Sequence, residues 1–581
     1  MSSNPPAPVL ALQWMIDDCK KGRSAAPKKP RAEVAREIVI DREAAKVRFI
    51  HYLKHDAPLA IEGQGGDQTT FVVAAKGKDC GLSEAETYTL MSEHWNPRCS
   101  PPWDDDELAT KVRNAYDYGQ NEPGCDAPER VFAKQQTALK QLQDENSVLI
   151  VGGDTRILWD THDAKGRQTH EQLSISSFKM KHAAKKAVIG KKEIPLTSLF
   201  LEHEGTTRYD GLEFDPQQGP EIVTEINGHR KSYFNLWRGF AYAPSASGSS
   251  HPSVDQLREH IDLNVCGGNE TLSRWLFGYF AHLVQRPWEK PGVAVVLSGG
   301  KGCGKTFLIQ RIGQLLGRHF LLASNRRYLV GNFNSHLENC LMLALDEAFW
   351  CGDRQVDGIL KDLITGDTHV IERKGFEPST VANKTRIVII SNEDEIVKAT
   401  ADERRYAMFA VGNRRRQDTA FFGAVQQGLE RGGYPVLLRA LLDFDLSGLD
   451  FNTAPKTQAL LEQKITALEP WMQFWHECLV TGHIVESGID GWPESISCRL
   501  FQRAVKAALD SRNIRGWLPT GVTIGKKMRP LGLKWRQQRV PQDKRLQGDP
   551  EVITTYSIPP LSEARQLFDD HNGQPIEWPE R

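Results

Sequence analysis

Residues 293–317 read VAVVLSGGKGCGKTFLIQRIGQLLG, and this stretch decides the fold class. Val293 to Val296 is a short apolar run, as expected of a strand buried on both faces. It leads into a glycine-rich loop in which Gly299, Gly304, Lys305 and Thr306 fill the fixed positions of G-x-x-x-x-G-K-[ST]. Glycines at such spacing let backbone N–H groups turn inward around phosphate oxygens. The loop as a whole, Gly299, Gly300, Lys301, Gly302, Cys303 and Gly304 with Lys305 and Thr306, is read as a nucleotide cradle. Lys305 is expected on the β- and γ-phosphates and the Thr306 hydroxyl on Mg²⁺. Phe307, Ile309, Ile312 and Leu316 follow at helical spacing, so the loop opens a helix whose positive end faces the phosphates. Cys303 is read as a small space-filling residue.

Working outward, Leu341 to Leu345 is a second apolar strand, ending in Asp346-Glu347, 41 positions after Lys305. Asp346 is assigned to the Mg²⁺ water shell, and Glu347 to polarising an attacking water. A third strand, Ile387 to Ile390, ends in Ser391-Asn392. An amide there is suited to orienting that water. Asp402-Glu403-Arg404-Arg405-Tyr406 follows, and an Arg in this cluster can reach the γ-phosphate of a neighbouring subunit, with Arg405 preferred to Arg404. ATP and Mg²⁺ are the implied substrate and cofactor.

Size and composition bound what surrounds this core. A chain of 581 residues is too long for one core and predicts three or four folding units. Apolar and charged fractions of 40% and 25% are those of a soluble globular protein. With a formal net charge of −1 the chain is not a basic coat, so any nucleic-acid contact must come from local patches. No apolar run is long enough to span a membrane, and the first ten residues, MSSNPPAPVL, do not read as a signal peptide. Ten scattered cysteines without a C-x-x-C pair read as reduced thiols.

The expected organisation is multidomain α/β. Residues 1–40 are a flexible basic arm. Residues 41–120 form a small helical domain, with Ser83 and Glu86 as a capping box and a turn at Gly63-Gln64-Gly65-Gly66-Asp67. Residues 121–146 are a linker or a solvent-facing helix. Residues 147–250 are an α+β region, and 251–290 a helical collar. The parallel-sheet core occupies 291–450, and a separate unit 455–581.

Five motifs in order, GGKGCGKT, LALDEA, LKDLITGDTHVIERKGFEP, VIISN and DERRY, resemble the superfamily 3 helicases of viruses and plasmids, closest to phage and poxvirus-type primase-helicases. The resemblance covers about residues 250–446. It implies an AAA+-like P-loop ATPase that assembles as a homo-oligomer, a hexameric ring, and moves on single-stranded or forked DNA. It also implies a β-hairpin projecting into the ring channel, with Arg373 and Lys374 near its tip and Lys361 on the preceding helix as DNA contacts. In this chain Gly375-Phe376 follows the hairpin lysine, where such helicases often carry a His or a second Lys. A weaker resemblance, carried by GQGGD, GLSEAE and CSPPWDDDELATKVRNA, links residues 46–116 to the small helical domain downstream of primase catalytic domains. Nothing upstream is long enough for a primase site. A separate primase or polymerase is therefore an expected partner, no membrane is involved, and the expected location is the cytoplasm of a bacterial host.

Residues 496–549 carry thirteen Lys or Arg against three acids. A helix from Leu500 to Leu509, a turn and then GLKWRQQRV fit a winged-helix-like DNA-binding unit. Its contact candidates are Arg499, Arg503, Lys526, Lys527, Arg529, Lys534 and Arg536. Trp517 and Trp535 are read as core residues of this unit. The leading expectation is thus an ATP-driven replicative DNA helicase. An ATP-switched initiator or loader on origin DNA and a double-stranded DNA translocase are the alternatives.

Overall fold

The computed structural model describes residues 39–581 except 152, 163–167, 190–191, 326, 332, 347–353, 374–376, 393–403, 512–520, 540–551 and 580–581. The chain is mixed α/β and divides into two compact units. Among the described residues, one comprises 39–212 and 223–234, and the other 213–222 and 235–579.

The first unit begins with four helices, Arg42–His55, Gly66–Asp79, Glu84–His94 and Asp105–Tyr118. Their starts follow from local chemistry. Ser83 and Glu86 form the capping box, and Asp104 accepts from the backbone N–H of Glu107 at 2.7 Å. Phe49, Leu53, Val73, Met91, Trp95, Leu108 and Val112 make their shared core. The helix Pro128–Glu145 occupies most of the expected linker. It is the mostly solvent-facing helix of the two alternatives, anchored by the fully buried Leu142, with Ala138 and Leu139 packed against the next core of Val148, Ile157, Phe178 and Phe200. That core lies under a four-stranded sheet of β1 (Asn146–Val151), β2 (Asp154–His162), β3 (Gln168–Ser174) and β6 (Arg208–Tyr209), in order β3-β2-β1-β6. A hairpin of β4 (Lys186–Ile189) and β5 (Lys192–Pro195) accompanies it. The strands β7 (Gly211–Glu213), β8 (Glu221–Ile226) and β9 (His229–Asn235) make a three-stranded sheet of order β7-β9-β8.

The second unit is built on five parallel strands: β10 (Ala294–Ser298), β11 (Phe320–Ala323), β12 (Met342–Asp346), β15 (Arg386–Ser391) and β16 (Tyr406–Ala410). Their order is β11-β12-β15-β10-β16. β10, β12 and β15 are almost wholly buried, as expected of parallel strands covered on both faces. The register sets Ser298 beside Ser391 and Asp346 beside Ile390, so these strands end together at one edge of the sheet. Crevices at the carboxyl ends of parallel strands are where such sheets bind ligands. Packed in the same unit are the helices Pro252–Glu259 and Glu270–Gln285, joined by a π-helical turn, His260–Val265. An antiparallel hairpin, β13 (Thr368–Ile371) with β14 (Ser379–Ala382), stands between β12 and β15 in the chain.

Residues 470–579 build their own core around Trp475, Phe474, Phe501, Tyr556 and Phe568. It carries a sheet of β17 (Ser495–Ser497), β18 (Lys534–Arg539) and β19 (Val552–Ser557), order β17-β19-β18, with helices Cys498–Ser511, Gly521–Met528 and Leu561–Asn572. No helix among the described residues is long and apolar enough to cross a membrane.

Candidate functional site

The loop after β10 turns back on itself before the helix Lys305–Leu316. Gly304 has φ +95°, and a Cβ there would come within 2.6 Å of the Phe422 ring and 2.7 Å of the His260 ring. Gly299 has φ +141°, and a Cβ there would stand 2.7 Å from the Val411 carbonyl oxygen. Both positions need glycine for backbone conformation and for space. The loop is held from outside by backbone and amide donors. Asn264 Nδ2 donates to the Cys303 carbonyl at 2.9 Å, and Gln417 N–H to the Gly302 carbonyl at 2.9 Å. The Asn264 carbonyl in turn accepts from Gly412 N–H at 2.7 Å. The π-helical turn therefore anchors both the loop and the segment that follows β16.

Lys305 is 5% exposed, and its ammonium is fully engaged by oxygens. Nζ donates to the carbonyls of Gly299 at 2.6 Å and Gly300 at 2.9 Å, and to Asn392 Oδ1 at 2.8 Å. The Thr306 hydroxyl donates to Asp346 Oδ2 at 3.2 Å. Lys301 to Phe307, Asp346, Ile390, Asn392 and Phe422 line one cavity of about 530 Å³. The ends of β10, β12 and β15 thus bring Lys305, Thr306, Asp346 and Asn392 together. Glu347 lies outside the described residues. Cys303 is fully buried with its sulfur 3.6 Å from Lys305 Nζ. Burial pushes the pKa of His260, whose ring lies against Gly304, down to about 4, so the loop rests on a neutral imidazole.

Two features here were not read from the sequence. One is the pair His260 and Asn264, one helical turn apart in a mixed polar and apolar run that sets neither of them apart. The other is Arg416. Its guanidinium carbon lies 4.0 Å from where a Gly300 Cβ would be, and its side chain is exposed. Arg415 is occupied by Asp418 at 3.1 Å and Glu259 at 3.3 Å. The run Arg414 to Arg416 directly after an apolar strand was the available signal.

Arg404 and Arg405 lie elsewhere. The Arg405 carbonyl accepts from Ala294 N–H at 2.7 Å, which places it at the start of β10 rather than at its glycine-loop end. Five residues of strand, roughly 16 Å, separate the two levels. Neither arginine sits beside its own chain's loop. Arg404 is exposed and Arg405 partly covered.

The basic candidates divide. Arg373 does not project from the β13–β14 hairpin as expected. Its guanidinium is bound by the Glu338 carboxylate, Nε to Oε2 at 2.9 Å, with both side chains largely buried. Lys361 pairs with Asp357 at 2.8 Å, one helical turn away. Lys374, with Gly375 and Phe376, lies outside the described residues. In the last domain Arg499 and Arg503 are exposed on one stripe of the helix Cys498–Ser511, whose opposite face buries Phe501, Ala504, Val505 and Ala508. Lys526, Lys527, Arg529, Lys534 and Arg536 are also exposed, and Lys527 pairs with Glu469. Trp535 is not a core residue. It is 68% exposed, on β18, one of the two edge strands of its sheet. Trp517 lies outside the described residues.

The family described as "Family of unknown function (DUF5906)" matches residues 297–405, the stretch from β10 to the start of β16. The DNA primase-polymerase of Nitratiruptor phage NrS-1 is 28% identical over 128 residues, which is 22% of this chain and 18% of that protein. The match therefore spans under a fifth of the relative's length. Two solved structures of the NrS-1 C-terminal region align over 72% of this chain and 98% of theirs, at 16% identity, with TM-scores of 0.51 and 0.49. At this identity the first of these likenesses concerns the fold alone.

Proposed function

We propose that this chain is an ATP-hydrolysing DNA helicase of phage-type replication, built on an AAA+-like P-loop core of superfamily 3 type. The observation that carries the reading is the convergence of Lys305, Thr306, Asp346 and Asn392 on one cavity at the carboxyl ends of adjacent parallel strands. The residues fit a magnesium nucleotide. Gly299 and Gly304 hold positive-φ turns packed too closely against Val411, Phe422 and His260 for a Cβ, which gives the loop its shape, and a hydroxyl and a carboxylate stand together as oxygen ligands. Thr306 and Asp346 would hold Mg²⁺, which supplies positive charge to the phosphate oxygens when bound. Lys305 exchanges its loop carbonyls for phosphate oxygens. Asn392 orients water, and Glu347, next after Asp346 in sequence, takes its proton. Arg416 adds charge from the same chain. Arg404 or Arg405 serves the site of a neighbouring copy, so the active form is an oligomeric ring. The similarity to a phage primase-polymerase supports a place in phage DNA replication. A separate primase or polymerase is the matching partner, and the winged-helix-like domain holds DNA.

The test is ATP hydrolysis by the full chain with and without single-stranded DNA, together with strand displacement on a forked duplex. Stimulated hydrolysis and unwinding that both disappear in Lys305→Ala are expected. Hydrolysis without displacement on any fork would overturn the helicase reading.

A further inference from the structure

The edge strand β18 carries Lys534, Trp535 and Arg536 in succession, and all three side chains are exposed. Edge strands are blunted by charge, and lysine or arginine there needs no other explanation. A tryptophan does the opposite, since it offers a large apolar ring at an open edge. Trp535 is 68% exposed, and it is the one exposed tryptophan among those described; Trp471, Trp475, Trp492 and Trp578 of the same domain pack into its core. Among the described residues its ring packs against no other aromatic ring or cation, whereas the rings of Trp475 and Trp492 in the same domain meet at 5.6 Å, tilted by 48°. Its Cα partner on β19 is Tyr556, which is 2% exposed. The sheet therefore holds the backbone of Trp535 while its side chain is largely exposed.

The charge around the ring selects the occupant. Lys526, Lys527 and Arg529, on the helix before β18 and just after it, are exposed, as is Arg539 at the end of β18. Between residues 496 and 549 basic residues outnumber acids thirteen to three. A polyanion with flat, unpaired rings matches such a surface. In a duplex the base faces are stacked on one another and are closed to a side chain, whereas in a single strand they are open. We infer that Trp535 is a stacking platform for a base of single-stranded nucleic acid whose backbone passes round the open edge of β18, with Lys534 and Arg536, which leave the strand on its other face, on the adjoining phosphates. This rests on the reading of the last domain as nucleic-acid-binding and adds the strand form and the contacting ring.

The experiment measures binding of the full chain to an oligo(dT) strand and to an abasic strand of equal length, across a salt series. The proteins are wild type, Trp535→Ala, Trp535→Phe and the double variant Lys534→Ala/Arg536→Ala. Stacking of one base is worth a factor of roughly 5 to 150 in affinity. Trp535→Ala is expected to lose that factor on oligo(dT), keep the wild-type salt slope and bind the abasic strand as wild type does. Trp535→Phe retains most of the affinity. The double variant weakens both strands and lowers the salt slope by about 1.4, which is 0.7 for each phosphate contact. Equal oligo(dT) binding by Trp535→Ala and wild type overturns the platform, as does an equal loss on the abasic strand. If the double variant is also unchanged, the nucleic-acid reading of this domain falls with it. If only the double variant is impaired, that reading stands and the stacking role is refuted.

Discussion

Lys305 Nζ lies 2.8 Å from Asn392 Oδ1, a contact between residues 87 positions apart that joins the glycine loop to the end of β15. The contact ties the phosphate-side ammonium to the amide proposed to orient water. Lys305→Ala should abolish ATP turnover and weaken nucleotide binding. Asn392→Ala should leave binding within a few-fold and slow turnover by about 10²-fold, the usual loss for one preorganised polar group. Fluorescent-nucleotide titration and steady-state ATPase assays separate the two effects. Unchanged turnover in Asn392→Ala would remove that residue from the site.

Arg416 stands beside Gly300 on the same chain. Arg416→Ala should reduce turnover about 10²-fold, and Arg416→Lys should restore part of it, since lysine keeps the charge and loses the planar fork. Arg415→Ala, which breaks pairs with Asp418 and Glu259, should lower melting temperature more than turnover. Comparing kcat and melting temperature across the three variants tests this assignment.

Gly304→Ala forces an L-residue into a φ of +95° and drives a methyl against Phe422 and His260. Strain of this kind costs roughly 1–3 kcal/mol. The loop is expected to shift rather than the fold to open, so nucleotide affinity falls about 5- to 150-fold. Far-UV circular dichroism should match that of wild type. Wild-type affinity in this variant would show that the loop does not need this shape.

Burial pushes His260 down to about 4, and His282 and His319 each down to about 3. Their unfolded pKa values lie near 6.5, so below that pH the unfolded chain takes up protons that the folded chain refuses. Stability is full above about pH 6.5 and falls as pH drops. The slope is about 1.4 kcal/mol per pH unit for each histidine, or about 4 kcal/mol for all three at pH 5.5. Urea unfolding at pH 7.5, 6.5 and 5.5 measures the loss. His260→Gln should reduce the slope by about one third over this window.

Arg404 and Arg405 precede β16 at the opposite end of the sheet from the glycine loop, so the arginine finger proposed at this place would act on a neighbour's nucleotide. Arg404→Ala should bind ATP and hydrolyse it slowly. Mixing it with Lys305→Ala protein under subunit exchange should restore activity, because some interfaces then pair an intact loop with an intact arginine. Recovery with Arg405→Ala alone moves the finger by one residue. Absence of recovery in either mixture, with mixed oligomers demonstrated, argues against a shared site.

The glycine loop, Asp346 and Asn392 were legible in the sequence because each is a local signal. An apolar strand ends in a residue whose chemistry is tied to that end, and the strand positions its own terminus. The first helices were legible for the same reason, since Ser83, Glu86 and Asp104 cap within three residues. The helix Pro128–Glu145 was harder to read, because its polar surface hid the few positions, Leu142 foremost, that a later sheet would bury. The remaining findings depend on neighbours far along the chain. Arg373 is withdrawn from solvent by Glu338, 35 residues away. Arg416 reaches Gly300 because β16 lies beside β10 in the sheet although β11, β12 and β15 intervene in sequence. Trp535 is exposed although its partner across the sheet, Tyr556, is buried, and which of the two the core covers is not written in either strand. The sequence alone determined which residue each strand end carries. Tertiary structure decided which charges are spent on partners and which face outward, because burial and pairing are properties of the neighbours that folding supplies.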